Sequence, residues 1–103
     1  MYKLCFYVPE SHLEAVKNAC FTQGAGRIGN YRCCAWQVLG QGQFMPMTGS
    51  KPYLGAENQI ERANEYCVEM VCTDELIHDV IAALKDAHPY EEPAYQAWRI
   101  ETF

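Results

Sequence analysis

The sequence lacks any long apolar run and any cluster of basic residues. A helix that crosses a membrane needs about 20 consecutive apolar residues, and no segment of this 103-residue chain approaches that length. Lysine and arginine number 8 against 13 acidic residues, which gives a net charge of −5. Binding to the phosphate backbone of a nucleic acid needs several grouped cations, so we do not expect nucleic acid as a direct partner. The absence of a long apolar run leads us to expect no membrane partner either.

Signals for export and for paired cysteine chemistry are also missing. The apolar run at residues 4–8 is followed at once by Pro9 and Glu10, so it is too short for the core of a signal peptide. The 6 cysteines form no C-x-x-C motif, although Cys33 and Cys34 are adjacent. We therefore expect a cytoplasmic protein whose cysteines are reduced and pack as small hydrophobic residues.

Hydrophobic periodicity predicts four strands and two helices. Alternating apolar residues predict strands near residues 2–8, 32–39, 62–72 and 94–101, and apolar stripes of helical period predict helices near residues 11–22 and 74–87. Ser11 and Glu14 have the spacing of a capping box, and Thr73 stands where an N-cap is expected. Gly24 stands where a glycine C-cap is expected.

The segment between the second and third strands is rich in glycine and proline. The run Gly40-Gln41-Gly42 is predicted to turn the chain, so that residues 43–47 return as a short hairpin arm. Residues 48–60 show little periodicity, and a loop of that length in a small domain is typical of an arm, a lid or a contact surface.

This order of elements predicts one α+β domain over residues 1–103. The expected fold is ferredoxin-like βαββαβ, with a four-stranded antiparallel sheet, two helices on one face and a hairpin arm between the second and third core strands. Alternation assigns an apolar set to the uncovered face: Cys5, Tyr7, Cys67, Tyr95 and Ala97. Because this set is more apolar than a solvated sheet face, we expect a homo-oligomer.

The sequence GAGRIGNY at residues 24–31 is the first unusual block. The spacing of Gly24, Gly26 and Gly29 matches the dinucleotide-binding fingerprint, but that motif must follow a strand and open a helix. Here it follows a predicted helix and precedes a predicted strand, so a helix cap and a turn are expected instead. A weaker hypothesis is an anion-binding nest of glycine amides beside Arg27.

The sequence HPYEEPAY at residues 88–95 is the second block. His88, Glu91 and Glu92, joined by Cys33 or Cys34, are ligand types that suit zinc or copper. The alternative is that the histidine completes the C-terminus of the second helix and that the glutamates are solvated. A cysteine–histidine enzyme site is a further hypothesis, but no spacing links the cysteines to the histidine, so no catalytic residue is assigned.

Four blocks together carry a family resemblance: residues 24–31, 40–46, 52–55 and 88–95. In this order they resemble the inserted central domain of bacterial long-form Ngg-interacting-factor-three-like proteins, and the chain looks like a stand-alone version of that insert over nearly its whole length. The resemblance implies a fold similar to the CutA and PII proteins, which are ferredoxin-like trimers. The family's two-metal site lies in flanking domains whose ligands have no counterpart here, so its hydrolase chemistry does not transfer.

The sequence leaves three functional hypotheses. The first is a small cytoplasmic oligomeric binding or regulatory module that is not an enzyme, with the sensing of a metal ion or small anion at clefts between subunits as one role open to it. The others are a CutA-like protein that binds a divalent metal and a cysteine–histidine enzyme. The candidate ligand-binding residues are Gly24, Gly26, Arg27, Gly29, Asn30, Tyr31, Tyr90 and Tyr95, and the candidate metal ligands are His88, Glu91, Glu92 and Cys33.

Overall fold

Four antiparallel strands and two helices make up the fold in a computed structural model that describes all of residues 1–103. In chain order the elements are β1 (Tyr2–Pro9), α1 (Leu13–Thr22), β2 (Trp36–Phe44), β3 (Glu61–Cys72), α2 (Ile77–Ala87) and β4 (Tyr95–Arg99). The strand order in the sheet is β2-β3-β1-β4, and every neighbouring pair is antiparallel. The predicted ferredoxin-like fold is confirmed.

The hydrophobic core lies between the two helices and one face of the sheet. Leu4, Phe6 and Val8 alternate along β1 and are fully buried, as are Val80 and Leu84 on the inner stripe of α2. Side chains recur on one face every 2 residues in a strand and about every 3.6 residues in a helix. The buried side chains of β1 and α2 therefore meet in the layer between the sheet and the helices. Full burial of each contributes about 1.5–3 kcal/mol.

Neither helix has the length and apolar content that a membrane crossing requires.

Helix α1 ends in the glycine cap that the sequence predicts. Gly24 has φ +102°, and its N–H donates to the Phe21 carbonyl over 2.9 Å. The N–H of Ala25 donates to the Cys20 carbonyl over 3.2 Å, which completes the pair of bonds of a Schellman motif. Ala25 is itself buried, so the chain leaves the helix through the core.

The predicted N-terminal caps are wrong. A 3₁₀ turn at Glu10–His12 precedes α1, and the Ser11 hydroxyl contacts His12 Nδ1 over 2.8 Å instead of a helix amide. Before α2, the Thr73 backbone carbonyl accepts a bond from the Leu76 N–H over 3.2 Å, and no side chain caps the helix. In both places a tight turn enters the helix and takes up the backbone groups that a side-chain cap serves elsewhere.

Strand β2 differs most from its prediction. Residues 40–42 do not turn the chain, because β2 continues through them and pairs with β3 from Trp36↔Glu69 to Phe44↔Glu61. Neither Gly40 nor Gly42 has a positive φ, so both are compatible with extended strand. The predicted return of residues 43–47 as a separate hairpin strand is therefore wrong.

A hairpin arm nevertheless exists, and β2 and β3 themselves form it. The pairing of β1 with β3 ends at Pro9↔Glu65, whereas β2 and β3 stay paired beyond that point. We call the two-stranded end, residues 41–44 and 61–64, the arm, and residues 45–60 the arm loop. The arm contributes to the elongated shape of the molecule, which measures 46 × 24 × 23 Å.

The face of the sheet opposite the helices, here the open face, differs in part from the prediction. Tyr95 pairs with Phe6 and Ala97 with Leu4, so both lie on the helix-covered face and pack against the core. The prediction failed because the phase of a strand is set by its register with its neighbour. The apolar side chains of the open face are Cys5, Tyr7, Trp36, Val38, Ala63, Cys67, Val71 and Trp98.

Candidate functional site

A cleft of about 370 Å³ opens where the arm, the arm loop and the segment after α2 meet. We call it the arm cleft. Apolar and aromatic side chains from all three segments line it, together with three carboxylates, Glu65, Glu91 and Glu92. This combination of apolar walls with a few polar groups is typical of a small-molecule site.

Tyr90 stands at the centre of an aromatic cluster in this cleft. Its ring centroid lies 5.9 Å from that of Phe44 in β2 and 6.1 Å from that of Tyr53 in the arm loop. These tilted arrangements fall within the range that aromatic pairs prefer. The cluster therefore joins the segment after α2 to the arm and the arm loop.

The hydroxyl of Tyr90 is buried and has no hydrogen-bond partner. It is the sole buried side-chain polar atom in this condition. Burial first, and then the Glu65 carboxylate, which lies near the hydroxyl as an acceptor outside hydrogen-bond geometry and as a negative charge, raises the pKa of Tyr90 well above its usual range, so the phenol is protonated at neutral pH. An unpaired buried donor of this kind calls for an explanation, and a missing ligand or water is a common one.

Gly42 gives Glu65 its place in the cleft. A Cβ atom on Gly42 would lie 1.7 Å from Glu65 Oε1 and 2.6 Å from Cδ. The carboxylate of Glu65, which belongs to the neighbouring strand β3, thus lies in the space that Gly42 leaves free in β2. The glycine in β2 is explained by this close approach and not by a turn.

His88 anchors the segment after α2 to the sheet. The ring is buried; Nε2 lies 2.7 Å from the Tyr7 carbonyl oxygen, and Nδ1 lies 3.1 Å from the Tyr90 backbone nitrogen. Because Nδ1 accepts the Tyr90 N–H, Nε2 carries the proton and donates to the carbonyl. Burial lowers the pKa of His88. The histidine ends α2, as one hypothesis expects, but as a neutral side chain.

The structure does not bring the four candidate metal ligands together. Both ring nitrogens of His88 are taken by backbone groups, and Glu91 Oε1 accepts the Lys51 N–H over 3.1 Å. Glu92 and Cys33 are exposed, and no three His, Cys, Asp or Glu side chains come together to hold a metal. The histidine also bonds to no cysteine, so the cysteine–histidine hypothesis gains no contact from the structure.

Residues 24–31, the glycine loop, are held by backbone hydrogen bonds. The Gly26 N–H donates to Val71 in β3 over 2.8 Å, and its carbonyl accepts from Cys34 over 2.8 Å. Ile28 and Tyr31 exchange two bonds across Gly29 and Asn30, and the glycine has φ +56°, as a tight two-residue turn requires. Few consecutive amides remain for an anion-binding nest.

The candidate ligand-binding residues fall into separate places. The glycine loop is bonded to β3 at Val71, which pairs with Lys3, whereas the His88 ring is bonded to β1 at Tyr7. Four residues along a strand correspond to about 13 Å. Tyr95 packs under the helices. Of the eight candidates, only Tyr90 lines the arm cleft, where the candidate metal ligands Glu91 and Glu92 join it.

Phe44, Tyr53 and Glu65 were missed by the sequence analysis. Alternation along β3 places Glu65 on the same face as Cys67, and the glycines in β2 indicate a close approach. Those two signals could have identified the glutamate. No periodicity predicts where the arm loop returns, so Tyr53 could not have been found.

The open face is a second unusual surface. Trp36 is 60% exposed, and Val38 and Trp98 are each 47% exposed. Between them the Sγ atoms of Cys5 and Cys67 lie 3.6 Å apart. Burial and then the neighbouring Cys67 raise the pKa of the Cys5 thiol to about 11, so this thiol is protonated at neutral pH.

Comparison with known proteins places the chain beside a domain-sized part of much longer proteins. No protein-family model matches it. It is 45% identical over 98 residues to a GTP cyclohydrolase 1 type 2 homolog from Mycobacterium leprae, a match that covers 95% of this chain and 26% of the relative. The chain thus spans about a quarter of the length of the curated relatives that it matches.

Solved structures give the same result. A Bacillus cereus protein related to NIF3 superposes with a TM-score of 0.84 at 37% identity, covering 98% of this chain and 26% of that protein. The periplasmic divalent cation tolerance protein CutA from Archaeoglobus fulgidus superposes with a TM-score of 0.71 at 19% identity, covering 100% of this chain and 87% of that protein. The resemblance to part of the NIF3-related proteins and the CutA-like fold are both confirmed.

Proposed function

We propose that this chain is a small binding or regulatory module whose ligand occupies the arm cleft. The CutA-like fold and the similarity to a domain-sized part of NIF3-related proteins support a module of this type. The observation that carries the proposal is the cleft itself: a preformed space of about 370 Å³ lined in part by Tyr90, whose buried hydroxyl is unpaired.

The unpaired hydroxyl supports a ligand with a polar group. Leaving a buried donor or acceptor unsatisfied costs about 1–3 kcal/mol, and a bound molecule that pairs with it recovers that free energy. The surrounding rings of Phe44, Tyr53 and Tyr90 favour a flat or branched apolar body. The ligand class is therefore a small amphipathic molecule.

A fragment titration followed by amide NMR shifts tests this proposal. Soluble aromatic fragments that are neutral, cationic or anionic should perturb the amides of residues 43–54 and 88–94 before others. Tyr90→Ala should abolish these shifts, whereas Tyr31→Ala, which removes a tyrosine that is 74% exposed in the glycine loop, should leave them unchanged. Absence of saturable shifts at the cleft for every fragment would contradict the proposal.

We propose binding rather than catalysis for the isolated chain. The relatives' name refers to a GTP cyclohydrolase homolog, but it belongs to proteins about four times as long. His88 pairs with no nucleophile, since both of its ring nitrogens bond to backbone, and the Ser11–His12 contact lies on an exposed turn outside the arm cleft. Assays of GTP cyclohydrolase activity with added divalent metals should stay at background. Turnover that His88→Ala or Cys33→Ser removes would overturn this view.

Self-association through the open face is the second part of the proposal. Trp36, Val38 and Trp98 are exposed there in one contiguous sheet, and fully burying each contributes about 1.5–3 kcal/mol. The resemblance to CutA proteins favours a trimer. Sedimentation at micromolar concentration should show an oligomer that Trp98→Glu dissociates and Tyr31→Glu does not. A folded monomer of the parent chain would contradict association.

A further inference from the structure

We infer that the arm cleft selects a positively charged organic ligand, an ammonium ion with an aromatic or branched apolar body. This inference rests on the proposed function, which it narrows to one ligand class. It differs from the expectation of an anion or a metal ion that the sequence raised.

The first step is the charge of the cleft. Glu65, Glu91 and Glu92 line it, and no lysine, arginine or histidine side chain does. None of the three carboxylates takes part in an ion pair anywhere in the molecule. They belong to a chain whose net charge is −5, so no overall positive charge offsets them. An anion would therefore meet repulsion in the cleft, whereas a cation is attracted.

The second step is the aromatic wall. Phe44, Tyr53 and Tyr90 all line the cleft, and the centroid of Tyr90 lies 5.9 Å from that of Phe44 and 6.1 Å from that of Tyr53. Ring faces attract cations through the aromatic quadrupole, and groups of rings are a known means of holding organic ammonium ions. A hydrated metal ion gains little from such walls, but an ammonium ion with an apolar body uses both the rings and the carboxylates.

The third step is the position of Glu65. Its carboxylate lies beside Gly42, in the space that a side chain would fill, and the residue is only partly exposed. Glu91 and Glu92 are exposed at the rim, where water and salt screen their charges more strongly. We therefore assign Glu65 the largest charge contribution to binding and Gly42 the role of a positioning residue.

A set of three probes of the same size tests the inference at pH 7: benzylammonium, benzyl alcohol and benzoate. Benzylammonium should bind about 3- to 30-fold more tightly than benzyl alcohol, as expected for one charge near rings and a carboxylate, and benzoate should bind weakest. The advantage of benzylammonium should shrink as sodium chloride is raised. Affinities come from NMR titration, with cleft amides as the readout.

Variants identify the charge responsible. Glu65→Gln keeps the shape and should remove most of the difference between benzylammonium and benzyl alcohol. Gly42→Ala should have a similar effect because it displaces the carboxylate. Glu101→Gln, which makes the same change of net charge at an exposed residue outside the cleft, should retain the full difference. Circular dichroism checks that each variant is folded.

The possible results distinguish a failure of cation selectivity from a failure of ligand binding at the arm cleft. If all three probes bind equally and Tyr90→Ala abolishes binding, the cleft is a ligand site but its selectivity for cations is refuted. Tighter binding of benzoate, or an undiminished benzylammonium preference in Glu65→Gln, also overturns the inference. If benzylammonium does not bind at millimolar concentration, the inference is wrong, and the neutral and anionic fragments decide the proposed function separately.

Discussion

The glycine loop and the segment after α2, residues 88–95, have equally distinctive sequences but different roles. The positive-φ glycines of the glycine loop form a Schellman cap, a hydrogen bond to Val71 in β3 and a tight turn. The polar side chains of the loop, Arg27 and Asn30, are exposed to solvent. The segment after α2 is fixed by the His88 ring and faces a cleft. Unusual backbone therefore predicts local structure, whereas a ligand site also needs a second segment opposite it.

Replacing Gly26 should cause the largest loss of stability in either region. A Cβ there would lie 2.9 Å from the Cys34 carbonyl oxygen and 2.9 Å from Phe21 Cε1, at φ +78°. Left-handed strain and overpacking together predict that Gly26→Ala lowers the free energy of unfolding by about 3 kcal/mol. The matched variant is Gly29→Ala, whose Cβ meets nothing within 4 Å and should cost about 1 kcal/mol. Equal losses in urea denaturation would show that the loop is not packed as described.

Removing the Tyr90 hydroxyl should have opposite effects on stability and binding. Because this oxygen is buried without a partner, Tyr90→Phe should raise the free energy of unfolding by about 1 kcal/mol while it weakens ligands that pair with the hydroxyl. Tyr31→Phe, in the exposed part of the glycine loop, should change neither quantity. A Tyr90→Phe protein that is less stable than the parent would mean that the hydroxyl already has a partner.

Acid should destabilise the segment after α2 through His88. Its folded-state pKa lies below the unfolded value of 6.5 because of burial. Between the two pKa values the unfolded chain therefore binds more protons than the folded chain. The free energy of unfolding that neutral His88 contributes is complete above pH 6.5 and is lost as the pH falls through the folded-state pKa. His88→Gln should remove this part of the pH dependence of urea unfolding. His78→Gln, at an exposed position of α2, should keep it, and a parent stability that is flat below pH 6.5 would contradict the assignment.

The smallest effect is expected at Arg27. Its exposed side chain makes no ion pair, so Arg27→Ala should change stability by no more than about 0.5 kcal/mol and should leave binding at the arm cleft unchanged. Fluoride, sulfate and phosphate titrations of both proteins provide the check. Saturable anion binding that the variant loses would restore the nest hypothesis for the glycine loop.

Local patterns predicted the fold because its determinants are local. The stripes of α1 and α2, the glycine cap at Gly24 and the alternation of β1 each depend on a few neighbouring residues. Errors arose where distant contacts decide. The register with Phe6 puts Tyr95 on the covered face, and pairing with β3 extends β2 through its glycines.

The candidate site was predicted only in part for the same reason. Tyr90, Glu91 and Glu92 line the arm cleft, and their block of sequence is unusual enough to be noticed. Their chemistry nevertheless depends on Phe44 from the arm and on Glu65 at the point where the arm begins, and no spacing in the sequence shows that these residues lie beside residues 88–94. The bond from the His88 ring to the Tyr7 carbonyl is likewise a contact over a long separation.

An NMR titration of the parent chain with benzylammonium tests the central claim most directly, because it compares the two regions in one experiment. The account predicts saturable shifts of the amides of residues 43–54 and 88–94, with no change at residues 24–31. Saturable shifts centred on the glycine loop, with the cleft amides unmoved, would contradict it.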